Sequence, residues 1–248
     1  MAKRVGVILS GCGGRDGTDV AEAMLVLLIL DRAQAEAVCV APDGVRAEAA
    51  RLLPGAGGEA AVRPIGALDP REIDALIVPG GGGVATALSD YAEKGQLCQV
   101  HPDVARILRA LLPSRRPMAF MGLGAVLAAR VLGPVAGVRL TLGHKAIPAA
   151  KHAAVMGADV RPATAEDVIV DQKARIFSTP GFLMEEARLA QVARAVDKLV
   201  RGVLAVTRDR SVQMGTLGGS PNPPAKGSGE QSSPPPTRGS TGRARGSA

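Results

Sequence analysis

The chain of 248 residues has no tryptophan, one tyrosine and three phenylalanines. A nucleic-acid surface built on base stacking needs aromatic faces, so nucleic acid is not expected as a partner. Cysteine is scarce too. Cys12, Cys39 and Cys98 cannot make a disulfide framework, and they fit a reducing compartment. A long apolar run is missing. The longest, over 23–30, falls far short of the ~20 residues that span a bilayer. The opening stretch over 1–10 is basic and then apolar, but it runs into glycines rather than a cleavage site. A cytoplasmic protein with no membrane partner is the expectation. Acidic residues are in modest deficit, 23 against 30 Lys and Arg, for a net charge of +7. The surplus is scattered, so it does not mark a polyanion site. His101, His144 and His152 are the only histidines. None stands at a metal-ligand spacing from Cys or Asp, so neither a metal nor another cofactor is expected.

Hydrophobic residues, by contrast, make up 46% of the chain, and there are 31 glycines. Apolar residues are not spread evenly. The segment over 211–248 is rich in Gly, Ser, Pro and Thr and has little to build a core from. It carries Lys226, Arg238, Arg243 and Arg245 against Glu230. The predicted organisation is one domain over 1–210 and a disordered tail over 211–248. Such a tail serves as a spacer or recruits a partner.

Within the domain, apolar runs over 5–9, 37–40, 74–78, 117–121, 138–142 and 174–178 read as strands. Helical spacing predicts helices over 19–32, 46–53, 104–112, 125–132 and 183–206. Strands and helices alternate, and the strands have no polar face. That pattern predicts an α/β sandwich, a mostly parallel sheet with helices on both faces. Ligands of such sheets sit beyond the carboxyl ends of the strands. Three glycine loops lie there, over 11–14, 80–83 and 122–124. They make Gly11, Gly13, Gly80, Gly81, Leu123 and Gly124 candidate ligand-binding residues. His144, near the end of a predicted strand, is a further candidate.

A dinucleotide site is the first reading to test, because a strand, a glycine loop and a helix occur in that order. The loop reads Gly11-x-Gly13-Gly14-x-x-Gly17, with Asp16 where the third fingerprint glycine belongs. Asp43, the candidate ribose acid, lies in a Pro-Asp-Gly turn that explains it without a ligand. Asp16 and Asp19 would also crowd a pyrophosphate at the helix start. The dinucleotide reading is therefore set aside.

Several words occur in one order: Gly6-Val-Ile-Leu-Ser-Gly-Cys-Gly13, Asp16-Gly17, Glu22-Ala23, Ala41-Pro-Asp43, Ala75-Leu-Ile-Val-Pro-Gly-Gly81, Phe120-Met121, Leu140-Thr141, Ser178-Thr-Pro180 and Asp197-Lys-Leu-Val200. Together, over about 3–207, they resemble the ElbB-like glyoxalase family, also called isoprenoid-biosynthesis ElbB. That family lies in the PfpI branch of the class I glutamine amidotransferase-like superfamily. The resemblance implies a flavodoxin-like sandwich, usually a homodimer, with a nucleophilic cysteine on a sharp strand-to-helix elbow. It also implies a glutamate from the first helix set against that thiol, and glyoxalase activity without a cofactor.

The departures from the family pattern shape the expected function. After Phe120-Met121, where the family has its cysteine, this chain has Gly122. Glycine cannot form the hemithioacetal that the family chemistry requires. Glu22 matches the family glutamate, and Ala21 stands where histidine is frequent. A helical insert around 54–64 reads as shortened. Cys12, in the first glycine loop, is a candidate catalytic residue beside Glu22. However, nearby acids oppose thiolate formation, and family members keep a cysteine there in addition to the elbow one. Cys39 and Cys98 read as packing, and His101 and His152 as loop and helix-surface residues.

Three functions remain open. One is a binder of a small carbonyl or carboxylate metabolite, non-catalytic or weakly active, with Gly122 at the position of the lost nucleophile. Another is an active glyoxalase-type enzyme using Cys12, Glu22 or an activated water. The third is a dimeric interaction protein with a recruiting tail.

Overall fold

The computed structural model describes residues 2–13, 16–53 and 61–207. In chain order these form β1 (Arg4–Ile8), α1 (Val20–Arg32), β2 (Glu36–Ala41), α2 (Arg46–Ala49), β3 (Arg63–Pro64), β4 (Ala75–Val78), α3 (Gly83–Thr86), α4 (Tyr91–Lys94), α5 (Pro102–Leu111), β5 (Met118–Met121), α6 (Gly124–Ala136), β6 (Arg139–Leu140), α7 (Pro148–Val155), β7 (Asp159–Val160), β8 (Ile169–Asp171), β9 (Ile176–Thr179) and α8 (Leu189–Val206). The main sheet has the order β3-β2-β1-β4-β5-β9-β8. All its neighbours pair parallel except β8, which runs antiparallel to β9.

The central strands are apolar on both faces because both faces are covered. Along β5, Met118 and Phe120 enter one core with residues of α5, α6 and α7. Ala119 and Met121 point the other way, into a core with residues of α1 and α8. This is the period-two alternation of a strand buried between two helix layers. The α/β sandwich read from the sequence is the observed architecture.

The adjacency of β1, β4, β5 and β9 positions the site. Each ends at the same edge of the sheet, so the loops that follow them gather there. Two of those loops need glycine for their turns: Gly81 has φ +114° and Gly122 φ +49°.

The details differ from the sequence reading in places, each with a physical cause. The segment predicted as a strand over 138–142 does not join the main sheet. Only Arg139–Leu140 is extended, and it pairs with β7. The Arg139 amide donates to Asp171 Oδ2 and the Thr141 amide to Ser178 Oγ, both at 2.8–2.9 Å, so side chains replace ladder partners. The helix predicted from 183 begins only at Leu189. Residues Gly181–Leu183 form a separate 3₁₀ turn, opened by Gly181 at φ +57°. Gln191 Oε1 accepts from the Arg188 amide at 2.9 Å and fixes the true start. The helix predicted over 125–132 runs on through Pro134 and closes at Gly137, φ +56°. Asp43 opens a short 3₁₀ turn and lies 3.7 Å from Arg46, which accounts for it without a ribose. Residues 54–60 of the expected shortened insert, and the tail over 211–248, lie outside the described residues.

Phe120 sits on β5 with no exposed surface. Phe120→Ala should destabilise the fold by about 3–5 kcal/mol, the usual penalty for emptying a core aromatic site. Urea unfolding should show a lower midpoint at unchanged slope; a loss under about 1 kcal/mol would contradict this packing.

Candidate functional site

The loop after β1 folds back on itself before α1 begins. The Gly13 amide donates to the Thr18 carbonyl at 3.1 Å, and the Thr18 amide to the Gly11 carbonyl at 3.3 Å. The Thr18 hydroxyl accepts from the Ser10 amide at 2.7 Å. Gly11 (φ +96°) and Gly13 (φ +123°) serve this reversal. Asp19 then caps α1: its Oδ1 accepts from the Glu22 amide at 3.0 Å. The Asp19 amide reaches across to the Gly80 carbonyl at 2.9 Å, tying the helix start to the loop after β4.

One turn along, Glu22 points inward and is 1% exposed. Its Oε2 accepts from the Gly80 amide at 2.7 Å, and its Oε1 from the Phe182 amide at 2.9 Å. One carboxyl group thus joins α1, the loop after β4 and the turn after β9. Burial pushes its pKa up, against these two backbone hydrogen bonds, which favour the charged form. The negative charge of Asp19 adds to the rise, and the result is about 7. The glycines around it make room. A Cβ on Gly181 would collide with Glu22 Oε1, and one on Gly80 would lie 2.8 Å from Oε2 and 3.0 Å from the Met121 carbonyl.

Beside Glu22 lies a cavity of about 190 Å³, lined by Asp19, Glu22, Gly81, Gly82, Gly122, Leu123, Phe182 and Leu183. Gly122 forms the sharp turn from β5 into α6. Its amide donates to the Thr179 carbonyl at 3.0 Å, and its carbonyl accepts from the Ala125 amide at 3.2 Å. A Cβ at Gly122 would meet nothing closer than the Pro180 carbonyl at 3.4 Å. Space for a side chain therefore exists at the elbow, and only the positive φ resists one.

The structure brings Glu22, Gly122, Gly81 and Leu123 together at this cavity. Gly80 stands behind the carboxyl as its hydrogen-bond donor. Gly124 packs α6 against β4, where a Cβ would lie 2.9 Å from the Val78 carbonyl. Gly11 and Gly13 do not line the cavity, and neither does Cys12. Cys12 is half-buried and bridges to Thr18 in the loop reversal. His144 is also away from the cavity, largely exposed, with Nε2 3.7 Å from Glu186. His101 caps α5, accepting from the Asp103 amide at 3.3 Å. His152 is not a free surface group, since its Nδ1 lies 2.9 Å from the Tyr91 hydroxyl. Cys39 and Cys98 are buried, and burial raises the Cys39 thiol to about 11. Among the described residues, no group of three or more His, Cys, Asp or Glu is placed to hold a metal ion. No helix among them is long and apolar enough to cross a membrane.

The sequence reading missed Phe182, Leu183 and Gly181. A signal was present, the Pro180-Gly181 pair directly after the last strand, but the predicted helix starts just beyond it, at 183. Asp19, no candidate from the sequence, lines the cavity as well as capping α1.

No family model matches the chain. The chain is 32% identical over 234 residues to the mitochondrial glutamine amidotransferase-like class 1 domain-containing protein 3 of Homo sapiens, covering 83% of this chain and 84% of that one. It is 31% identical over 232 residues to the mitochondrial ES1 protein homolog of Rattus norvegicus, covering 82% and 84%. Among solved structures, an isoprenoid biosynthesis protein with amidotransferase-like domain from Ehrlichia chaffeensis superposes with a TM-score of 0.73 at 25% identity, over 82% of this chain and 99% of that one. Drosophila melanogaster DJ-1beta, with a TM-score of 0.51 at 19% identity over 88% and 98%, shares the fold. The cytoplasmic location expected from the sequence is corrected by these relatives, which are mitochondrial proteins in human, rat and Danio rerio.

The Glu22 environment has a consequence for stability. The folded chain holds this carboxyl near 7 against an ordinary value of 4.5. Between those values the folded state binds more protons than the unfolded, so stability falls as pH rises. The contribution is fully present below the unfolded value and lost as pH rises through about 7, on the order of 3 kcal/mol in all. Urea unfolding at about pH 4.5 and about pH 8 should show the stability of wild type relative to Glu22→Gln shrinking by that order. A difference that does not change with pH would contradict the raised pKa.

Proposed function

Since the chain belongs to the family of the glutamine amidotransferase-like class 1 domain and ES1 proteins, we propose that it is an ElbB-like, glyoxalase-type protein that binds a small carbonyl or anionic metabolite and has lost the family's covalent step. The observation that carries this reading is Gly122 at the elbow, on the same cavity wall as Glu22. In the thiol chemistry implied by the resemblance, sulfur adds to an aldehyde carbon and the carbonyl oxygen takes up a proton. Without sulfur the carbon–sulfur bond cannot form, and no hemithioacetal follows.

The remaining groups suit recognition. Glu22 changes protonation near neutral pH, so it can either donate to a carbonyl oxygen or act as an acceptor. Helix α6 begins beside the cavity at Leu123, with its Ala125 and Val126 amides bonded to the Gly122 and Leu123 carbonyls at 3.2 and 2.9 Å, so its positive end faces a ligand there. The small volume favours a ligand of few atoms. The alternative of an active enzyme using Cys12 has less support, because Cys12 is not on the cavity wall.

Purified wild type should consume no glyoxal or methylglyoxal beyond the level of Glu22→Gln. Gly122→Cys should fold, at a strain of about 1–3 kcal/mol, and its thiol should react with thiol reagents and give measurable turnover. Glycolate, as an unreactive probe, should shift the amide resonances of Gly81, Gly122 and Phe182 in wild type. Wild-type turnover abolished by Cys12→Ala would overturn the reading.

A homodimer is part of the same proposal. Helix α1 is apolar nearly all round, and its outer face carries Val20, Met24 and Leu28, each more than 40% exposed. That stripe, at four-residue spacing, begins beside Asp19 at the site. A helix with both sides apolar is normally covered on both. Sedimentation should find wild type as a dimer and Met24→Glu/Leu28→Glu as a folded monomer. An unshifted wild-type and variant mass would exclude this face.

A further inference from the structure

Residues 124–133 of α6 are buried with one exception, Arg130. It is the only charged side chain of that helix. Its Nε donates to the Cys98 carbonyl at 2.6 Å, which fixes the guanidinium toward the groove between α5 and α6. That groove encloses about 430 Å³, within the range of small-molecule sites. Arg109, on the last turn of α5, lines it as well. A helix C-terminus favours a cation there, but this does not explain a second guanidinium lining the same groove.

The two charges stand without a carboxylate. No acidic side chain lines the groove. Asp90, nearby in sequence, is engaged by Lys94 and the Gln99 amide, each at 2.6 Å. Asp103 is paired with Arg106 at 3.2 Å. Among the described residues, Arg109 has no hydrogen-bond or ion-pair partner, and Arg130 has only the Cys98 carbonyl. Apart from Gln99, the side chains of the rest of the wall are apolar, among them Val100, Ala105, Val131 and Val135, the last 73% exposed. Two like charges facing one concavity repel each other, and an anion between them removes that repulsion and offers each fork an acceptor.

We propose that the groove between α5 and α6 is a second ligand site, which takes a free organic phosphate or carboxylate with a short apolar body, the anion held by Arg109 and Arg130 and the apolar part lying on Val131 and Val135. This site is separate from the Glu22 cavity and does not depend on the function proposed for it.

Isothermal titration with octyl phosphate, below its micellar concentration, tests the assignment. Saturable binding of one molecule per chain is expected, weakened by added salt, with octanol at least about tenfold weaker. Arg109→Gln and Arg130→Gln should each weaken octyl phosphate by about tenfold or more, and Arg130→Lys should weaken it less. Arg109 is exposed, so its variant keeps the fold, and thermal unfolding checks both variants. Equal binding of octanol and octyl phosphate, or wild-type affinity in the folded Arg109→Gln variant, would overturn the proposal. Cosedimentation with phosphatidate vesicles in place of octyl phosphate binding would overturn the assignment to a free ester.

Discussion

A single buried carboxyl group organises the carboxyl edge of the sheet. Glu22 accepts one backbone amide from the loop after β4 and one from the turn after β9, while its own helix is capped by Asp19. Removing the acceptor would leave two amides at the site without a partner, at about 1–3 kcal/mol for each one buried. The same arrangement forbids side chains at Gly80 and Gly181, whose Cβ atoms would press on the carboxyl oxygens. Hydrogen bonding favours the charged form of Glu22 and burial the neutral one. Burial is the larger effect, so the group changes state near neutrality. The loop geometry and the proton chemistry of the cavity thus share one origin.

Across the same cavity, Gly122 makes the elbow turn with no side chain. Its φ of +49° is one that glycine adopts freely and a cysteine only under strain. The space a side chain would use remains, since the nearest atom to an added Cβ is at 3.4 Å. On the function proposed, relief of strain and loss of a nucleophile come together in one residue. Glu22 stands as a buried acid with a cavity beside it.

The sheet and its two helix layers were legible in the sequence because the central strands have no polar residues to expose. The elements that failed share a physical reason. β6 satisfies its amides through Asp171 and Ser178, which no local pattern announces. The turn over Gly181–Leu183 ends at Met184, whose extended backbone (φ −89°, ψ 103°) keeps the helix predicted from 183 from starting there. The glycine loops were correctly located, but their purpose was not readable. A glycine in a sequence shows that a close approach or a positive φ is tolerated. It does not show whether a ligand, a carboxylate or a neighbouring backbone makes that approach. Gly11 and Gly13 supply the positive φ of the loop reversal and Gly124 a close approach to the Val78 carbonyl, while Gly81 and Gly122 face the cavity. Glu22, and the part of Gly122 as the elbow residue, were recognisable only through the ordered resemblance, since a lone glutamate on an apolar helix has no spacing signature.

The chemistry of the cavity depends on Glu22 being a buried acid that titrates near neutrality. The most direct measurement is the chemical shift of its side-chain carboxyl carbon, followed by NMR through a pH titration of selectively labelled protein. The account predicts a midpoint at about 7. A midpoint near the ordinary 4.5 would mean that the carboxyl is solvated or fully stabilised as an anion, and the site would not be the one described.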